Sequence, residues 1–178
     1  ITGFWRPQPR NQDGSGMIGD YAGVPISEAG RWRAETWSPD DYDLAEYACR
    51  PHAWDYSLQG PLSQMRVWSD VDPATQKVLA YHGHLNQQEQ ETTIWMDGRP
   101  HPPANVLHTW SGFTTGEWEG DVLVTTTTHL KETYIRRSGL MRSDRSIVRS
   151  RWRRMGDYLQ ITSILYDPVL MAEPYIRT

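Results

Sequence analysis

The sequence predicts a mainly β protein whose strands form an antiparallel up-and-down β-barrel. From residue 65 onward, apolar and polar side chains alternate in short runs, which is the period of a half-buried strand. Turn-forming Gly, Asp and Pro residues separate these runs at short spacing. Such spacing is typical of a sandwich or a closed barrel, and tight hairpins between sequence neighbours favour the up-and-down barrel.

The chain of 178 residues is long enough for one domain with a sizeable core. We predict a single domain in which residues 65–178 form the barrel, while residues 1–64 supply an arm, one short helix and an irregular segment. The arm, residues 1–25, is rich in Pro and Gly and has neither a helical nor a strand period. The helix is predicted to begin after Ser27, a suitable N-cap, and to end before the Ser38-Pro39 pair.

Seven runs in the second part of the chain are predicted to be strands. They are Met65–Ser69, Gln76–Leu85, Thr92–Met96, Gly112–Trp118, Asp121–Leu130, Arg145–Met155 and Tyr158–Tyr166, and Leu170–Ile176 is a candidate edge strand. Two-residue turns at Glu119-Gly120 and Gly156-Asp157 predict two hairpins.

Composition excludes several classes of function. A net charge of -4 with both signs dispersed gives no basic face for nucleic acid or an anionic membrane. No apolar run approaches the roughly 20 residues that a membrane-spanning helix needs. The sequence contains no phosphate-binding glycine loop, no nucleophile elbow, no HExxH and no CxxC. Nucleotide-binding, serine-hydrolase and zincin functions therefore have no support.

The aromatic residues suggest a partner. Nine tryptophans and nine tyrosines stand against two phenylalanines, and indole and phenol suit the walls of a pocket. The alternative is that they fill a core that is short of Phe. As walls of a site for a small apolar or aromatic molecule we predict Trp95, Trp110, Trp118, Tyr134 and His108.

His82 and His84 are two residues apart on a predicted strand, so both imidazoles leave the same face. With Glu89 they give the spacing His-x-His-x4-Glu, which resembles the start of the metal site of cupin barrels. Imidazoles and a carboxylate suit a divalent cation. A later strand would supply a further histidine, for which the sequence offers His101, His108 and His129. Two histidines on the outer face of a sheet give the same pattern, so a metal site and a solvated face both stay open.

The segment from Asp97 to Pro102 is the first candidate for acid–base chemistry. A histidine between two prolines, His101, sits on a rigid loop, and a catalytic acid or base needs a fixed position. Asp97 would orient the ring or pair with Arg99, and Arg99 would stabilise developing negative charge. The alternative is an ordinary β-turn in which Asp97 binds its own backbone.

The predicted hairpin at Glu119-Gly120 adds a second candidate pair. On strand alternation, Leu123, Thr125, Thr127, His129 and Lys131 share one face. A row of threonines that ends in His129 suits a polar pocket, where His129 acts as acid or base and Glu119 orients it. The same row suits a solvated outer face equally well. Downstream, Arg149, Arg151 and Arg153 alternate on one strand and are predicted to form a solvated face paired with carboxylates.

Three segments together resemble a group of mostly secreted bacterial proteins of similar size that have no established activity. They are IWMDGRPHP at Ile94–Pro102, TWSGFTTGEWEGDVLVTTTTHL at Thr109–Leu130, and Asp167-Pro168 with Glu173-Pro174. The resemblance covers the C-terminal half and, more loosely, Cys49–His52. It implies a lipocalin- or calycin-like barrel and a secreted or periplasmic location. The start at Ile1 without Met indicates a processed or trimmed product, for which a removed signal peptide is one explanation.

These observations predict a small-molecule-binding barrel that acts as an enzyme through histidine and carboxylate acid–base chemistry, of the lyase, isomerase, cyclase or hydrolase type. A non-catalytic lipocalin-like carrier is one alternative. A cupin-like enzyme that uses His82, His84 and Glu89 is the other. No organic cofactor is predicted, and a divalent metal belongs to the cupin-like alternative. The oligomeric state stays open, with a dimer among the options.

Overall fold

The computed structural model describes residues 1–8, 20–38, 52–59, 64–86, 90–135 and 139–178. These ranges hold eleven strands, two α-helices and a short 3-10 helix at Asp20–Gly23. The elements are β1 Gly3–Trp5, α1 Glu28–Glu35, α2 Trp54–Gln59, β2 Met65–Val71, β3 Val78–Leu85, β4 Gln90–Trp95, β5 Phe113–Glu119, β6 Val122–Thr128, β7 Thr133–Tyr134, β8 Met141–Arg142, β9 Ile147–Met155, β10 Tyr158–Tyr166 and β11 Tyr175–Arg177.

Nine of the strands form one strongly curled sheet that makes a half-barrel. Their order across the sheet is β1-β2-β3-β4-β5-β6-β9-β10-β11, and β7 and β8 form a separate two-stranded sheet. The mainly β prediction is confirmed. The all-antiparallel meander is wrong at one place, because β4 and β5 pair in parallel, whereas β6 and β9, consecutive among the predicted strands, pair antiparallel as expected. A parallel pair requires a connection that returns along the sheet, and the segment between Trp95 and Phe113 supplies it.

Two tight hairpins stand where the turn residues predicted them. β9 and β10 join through Gly156-Asp157, as expected, and Gly156 has a φ of 60°. β5 and β6 join through Gly120-Asp121, one residue later than predicted, and Gly120 has a φ of 62°. A left-handed residue at the first turn position matches the twist of the flanking strands, which explains why glycine marks both turns.

The first 64 residues contain more structure than was predicted. β1 lies in the segment predicted to be an arm, and α2 is a second helix where only one was expected. The predicted helix α1 is confirmed, with the Ser27 side chain accepting a hydrogen bond from the Gly30 amide. The rest of the predicted arm and irregular segment falls outside the described residues. None of the described helices has the length and apolar character needed to cross a membrane.

Strand alternation decides which side chains fill the half-barrel. On β9 the side chains of Val148, Ser150 and Trp152 are buried, while the arginines between them are exposed. Trp152 stacks on Trp54 of α2 at 6.5 Å between ring centroids, so the helix covers the inner face of the sheet. The exposed arginines confirm the predicted solvated face, since Arg151 pairs with Glu119 at 3.1 Å.

A buried ion pair ties α2 to the second sheet. Arg142 of β8 is fully buried and donates to both carboxylate oxygens of Asp55, at 2.6 and 3.0 Å. It also donates to the backbone carbonyl of Lys131 at 2.5 Å. A bidentate geometry with this further hydrogen bond satisfies charges that would be costly to bury alone.

Candidate functional site

The connection between β4 and β5 lies against the outer face of β5 and β6, and histidines attach it there. The His101 ring makes one hydrogen bond to the Thr128 hydroxyl at 2.8 Å and another to the Thr115 hydroxyl at 2.9 Å. Both threonines lie opposite the buried positions of their strands, such as Thr114 and Thr125. The predicted acid–base group is therefore outside the half-barrel.

His129 extends this contact into a chain of hydrogen bonds. Its Nδ1 lies 2.8 Å from the Thr128 hydroxyl, and its Nε2 lies 3.0 Å from the Pro103 carbonyl oxygen. A carbonyl only accepts, so Nε2 carries the proton and the neutral ring accepts from Thr128 at Nδ1. Thr128 then accepts from His101 Nδ1, and His101 Nε2 accepts from Thr115. The whole chain is satisfied with both imidazoles neutral.

Burial supports the neutral form of His101. Removal from water, and secondly the nearby His129, lower the pKa of His101 from its ordinary value. Phe113 packs edge-on to the ring at 5.4 Å between centroids. His108 donates to the Leu130 carbonyl at 3.0 Å, and its ring meets His129 edge-on at 5.2 Å. The three histidines do come together, but their polar atoms hold the connection on the sheet.

His129 does not lie on the face of the sheet that alternation predicted for it. Its φ is 57°, and β6 ends at Thr128, so the row of threonines does not continue through it. Thr125 and Thr127 line a void of about 10 Å³ inside the half-barrel, whereas His129 lies outside. A left-handed residue reverses the direction of the following side chains, which a period of two cannot anticipate.

Asp97 and Arg99 form an ion pair at the start of the connection and do not contact the His101 nitrogens. Arg99 Nε lies 2.8 and 3.0 Å from the two carboxylate oxygens of Asp97. This hydrogen bonding lowers the pKa of Asp97 to about 2. The Arg99 guanidinium also stacks 3.6 Å above the ring of Trp95. The prediction that Asp97 orients His101 is wrong, while the pairing of Asp97 with Arg99 is confirmed.

The predicted aromatic wall does not converge on one place. The Trp95 ring stacks with Arg99 on the outer face. The Trp118 ring contacts the Tyr81 ring edge-on, with 6.3 Å between the ring centroids. Trp110 lies beneath the Lys131 ammonium at 4.9 Å. Tyr134 belongs to β7 in the separate sheet, and the exposed Glu119 pairs with Arg151 across the outer face. These groups lie on different surfaces because loops and both faces of the sheet contribute them.

His82 and His84 lie together on the outer face of β3, as alternation predicted. His82 Nε2 binds the Asp70 carboxylate at 2.7 Å and Nδ1 lies 3.1 Å from the Thr93 hydroxyl. His84 Nδ1 lies 3.4 Å from the Glu91 carboxylate. Glu89 is outside the described residues. In the described part of the chain no three His, Cys, Asp or Glu side chains are grouped so as to hold a metal ion.

A cavity at the margin of the sheet was not predicted. It is a groove of about 730 Å³ between β1 and the beginning of β10. Its lining residues are Thr2, Gly3, Phe4, Trp5, Arg6, Pro7, Gln8, Met65, Leu85, Arg154, Met155, Asp157, Tyr158, Leu159, Gln160, Ile161, Arg177 and Thr178. The void beneath Trp54 and Trp152, by contrast, is too small for a ligand of more than one or two atoms. The larger of these two cavities is thus a gap at the margin of the sheet.

Two strand edges form the walls of this groove. β1 pairs with β2 on one side and is the last strand at that margin of the sheet. β10 pairs with β9 along its length but with β11 only at Ser163–Leu165. Among the described strands, none pairs with residues 158–162 of β10 on the groove side. The sheet therefore curls without closing, and its two edges face each other.

The floor of the groove is continuous with the main core. Met65 and Leu85 are buried core residues, and Trp5, Leu159 and Ile161 pack against the same cluster. The Trp5 indole donates to the Ile1 carbonyl at 3.0 Å, which fixes the orientation of the ring. At one end, the Arg154 guanidinium lies 5.6 Å from the centre of the Trp5 ring. The groove joins an apolar floor to a charged rim.

Comparison with known proteins found no matching family model, curated protein or solved structure. The resemblance carried by Ile94–Pro102 and Thr109–Leu130 thus stays an expectation. The structure gives one physical reason why these segments contain particular residue types. They supply the histidine-held connection and the two strands on which it lies.

Proposed function

We propose that the protein binds a small apolar or amphipathic molecule in the groove between β1 and β10, as a lipocalin-like carrier. The observation that carries this proposal is the groove itself. Its volume of about 730 Å³ falls within the range of small-molecule pockets, and its floor is built from core side chains. Binding there needs no convergent titratable groups, and the six histidines of the chain are not among the lining residues.

A neutral apolar dye tests the proposal without assuming the natural ligand. N-phenyl-1-naphthylamine fluoresces when it leaves water, so its titration reports the affinity of an apolar site. Trp5→Ala removes the largest side chain of the floor and should weaken dye binding by about tenfold or more. Leu159→Gln places an amide on the same floor and should weaken binding without removing an aromatic ring.

Trp32→Ala is the matched control, because Trp32 lies on α1 and 68% of its side chain is exposed. This variant should bind the dye as the parent does. Parent-like affinity in both Trp5→Ala and Leu159→Gln, with folding verified by circular dichroism, would place the dye site elsewhere and contradict the proposal.

Acid–base catalysis by His101 and His129 is the second candidate function. One observation favours it: His101 is held on a rigid connection and its lowered pKa keeps it neutral, as a general base must be. Against it, both nitrogens of each ring already have hydrogen-bond partners. The candidate predicts that His101→Gln and His129→Gln lose turnover of an ester, epoxide or enone that the parent converts, while retaining its binding. Turnover at the parent rate in both variants would reject it.

A cupin-like metal centre is the third candidate, and it rests on the shared face of His82 and His84. It predicts a near-stoichiometric divalent ion in protein purified without chelator, measured by elemental analysis. His82→Ala should then lose the ion. Metal content that is negligible in the parent, or unchanged in the variant, rules out this candidate.

A further inference from the structure

We propose that the ligand of the groove is an elongated amphiphile with an anionic head, such as a long-chain carboxylate, whose head binds at Arg154. This inference rests on the proposed function and adds the chemical class of the ligand. Three observations support it: the charges on the rim, the contacts that Arg154 makes, and the order of apolar and cationic groups along the groove.

The rim is cationic although the chain is acidic. The sequence carries a net charge of -4. Among its side chains, the lining of the groove nevertheless contains three arginines, Arg6, Arg154 and Arg177, and a single carboxylate, Asp157. The excess of cationic side chains around the groove favours an anion over a cation at this place, so the local charges select the sign of the ligand.

Arg154 differs from its neighbours on β9 in its partners. Arg151 and Arg153 lie on the outer face and pair with Glu119 and Asp121, at 3.1 and 3.2 Å. Arg154 donates from Nε to the Gly156 carbonyl at 3.0 Å and lies over Trp5, and no carboxylate of the described residues forms an ion pair with it.

Those two contacts fix the direction of the Arg154 guanidinium. Because Nε is the atom that binds Gly156, the two terminal amino groups remain outside that hydrogen bond. A guanidinium offers paired N–H groups that match the two oxygens of a carboxylate. A side chain already held by a hydrogen bond and a ring loses less conformational freedom when an anion binds.

The order of groups along the groove then defines the shape of the ligand. Leu159, Ile161 and Trp5 form the apolar floor. The Arg154 guanidinium lies over the Trp5 ring. An alkyl or aryl tail would cover the floor, which lowers the apolar area in contact with water. The head would meet Arg154 at the end of the tail. A neutral apolar molecule would use only the floor.

The test compares three molecules with the same tail: dodecanoate, dodecanol and dodecylamine, the two ionic ones below their micelle concentrations and dodecanol below its solubility limit. Displacement of N-phenyl-1-naphthylamine at neutral pH and low salt gives their relative affinities. Dodecanoate should displace the dye at concentrations about tenfold lower than dodecanol, the lower end of what a charged hydrogen bond contributes. Dodecylamine should be the weakest of the three.

Arg154→Met should remove the preference for dodecanoate by weakening dodecanoate much more than dodecanol, since Met keeps apolar bulk beside Trp5. Arg153→Met, the next residue on the outer face, is the control and should retain the preference. Equal affinity of dodecanoate and dodecanol in the parent, or a preserved preference in Arg154→Met, overturns the head-group assignment and leaves the carrier proposal intact. If neither the dye nor any of the three molecules binds, the proposed function itself fails.

Discussion

At the scale of single residues, the polar groups of this protein are engaged in holding the structure. His101 and His129 bind threonine hydroxyls and a backbone carbonyl, and Asp97 binds Arg99. Asp55 and Arg142 form an ion pair in which both side chains are buried. These side chains, of types that also suit catalysis, therefore make contacts that should stabilise the folded protein, and their contributions to the free energy of unfolding can be measured.

Removing one member of the Asp55–Arg142 pair should destabilise the protein strongly. Arg142→Met leaves the buried Asp55 carboxylate without its partner, and the expected loss is about 3–5 kcal/mol in the free energy of unfolding. The measurement is urea unfolding followed by circular dichroism. Arg151→Met breaks an exposed pair with Glu119 and should cost about 0–1 kcal/mol. Similar losses in the two variants would show that burial of the pair does not govern its contribution.

The His101 contact should make stability depend on pH. Its pKa in the folded protein lies below the ordinary 6.5, so just below pH 6.5 the unfolded chain binds the proton more readily than the folded one. The contribution is complete above pH 6.5 and is lost as the pH falls through the lowered pKa of the folded state. Unfolding free energies at about pH 7.5 and about pH 5.5 measure the loss.

His101→Gln keeps a group that hydrogen-bonds and removes the titration, so its loss over the same pH interval should be smaller than that of the parent. Trp32→Ala, at an exposed position of α1 that carries no titratable group, should lose as much as the parent does. An identical loss in parent and His101→Gln would assign the pH dependence to other groups.

At the scale of elements, helix α2 depends on a strand that leaves room for it. A Cβ atom on Gly83 would lie 2.5 Å from Cη2 of Trp54 and 3.2 Å from Cγ2 of Thr92. Glycine at this point of β3 is therefore required by the close approach of an indole, not by backbone conformation. The residue weakens a strand in isolation, and the packing of Trp54 on Trp152 offsets that cost.

Gly83→Ala should thus destabilise the protein by about 1–3 kcal/mol, as overpacking of a core does. Trp54→Phe shortens the ring that occupies the space, so adding Gly83→Ala to Trp54→Phe should cost less than adding it to the parent. A double-mutant cycle from denaturant unfolding gives this coupling. Additive effects of the two substitutions would show that Trp54 is not what excludes a side chain at Gly83.

At the scale of the whole molecule, a sheet that curls without closing creates the groove. β1 contributes one wall through three residue pairs with β2, and the unpaired part of β10 contributes the other. Unpaired strand edges tend to recruit further chains, and natural proteins protect them with charge or cover. Here Arg6 follows β1, and Arg154 lies on β9 beside the unpaired part of β10, which gives them a protective role besides the proposed recognition of an anion.

Replacing residues 2–7 with a Gly-Ser segment of equal length should remove the wall and the dye site together. The rest of the sheet retains its own pairings, so the far-UV spectrum should remain that of a β protein. Dye fluorescence and circular dichroism on the same sample check the two expectations. Unchanged dye affinity in this variant would show that β1 does not form the binding site.

Sequence patterns determined the local structure well, because local structure depends on neighbours along the chain. Alternation located β2–β6, β9 and β10, and glycine turns located both hairpins within one residue. Short strands such as β1, β7 and β8 were not predicted, because two or three residues carry no detectable period. The same limit applied to α2, whose six residues are stabilised by packing against the sheet.

Only the tertiary structure decided where the candidate chemical groups and the groove are located. Alternation separates two faces but does not say which face is inside, and it placed His129 wrongly because a left-handed residue interrupts the strand. The partners of His101, Asp55 and Arg154 come from distant parts of the chain or from the opposite edge of the sheet. The sequence by itself determined a mainly β chain with its turns and its arginine face. The parallel β4–β5 pair, the unclosed sheet and the groove were decided by long-range pairing, because register between distant strands depends on side chains that meet only in the folded protein.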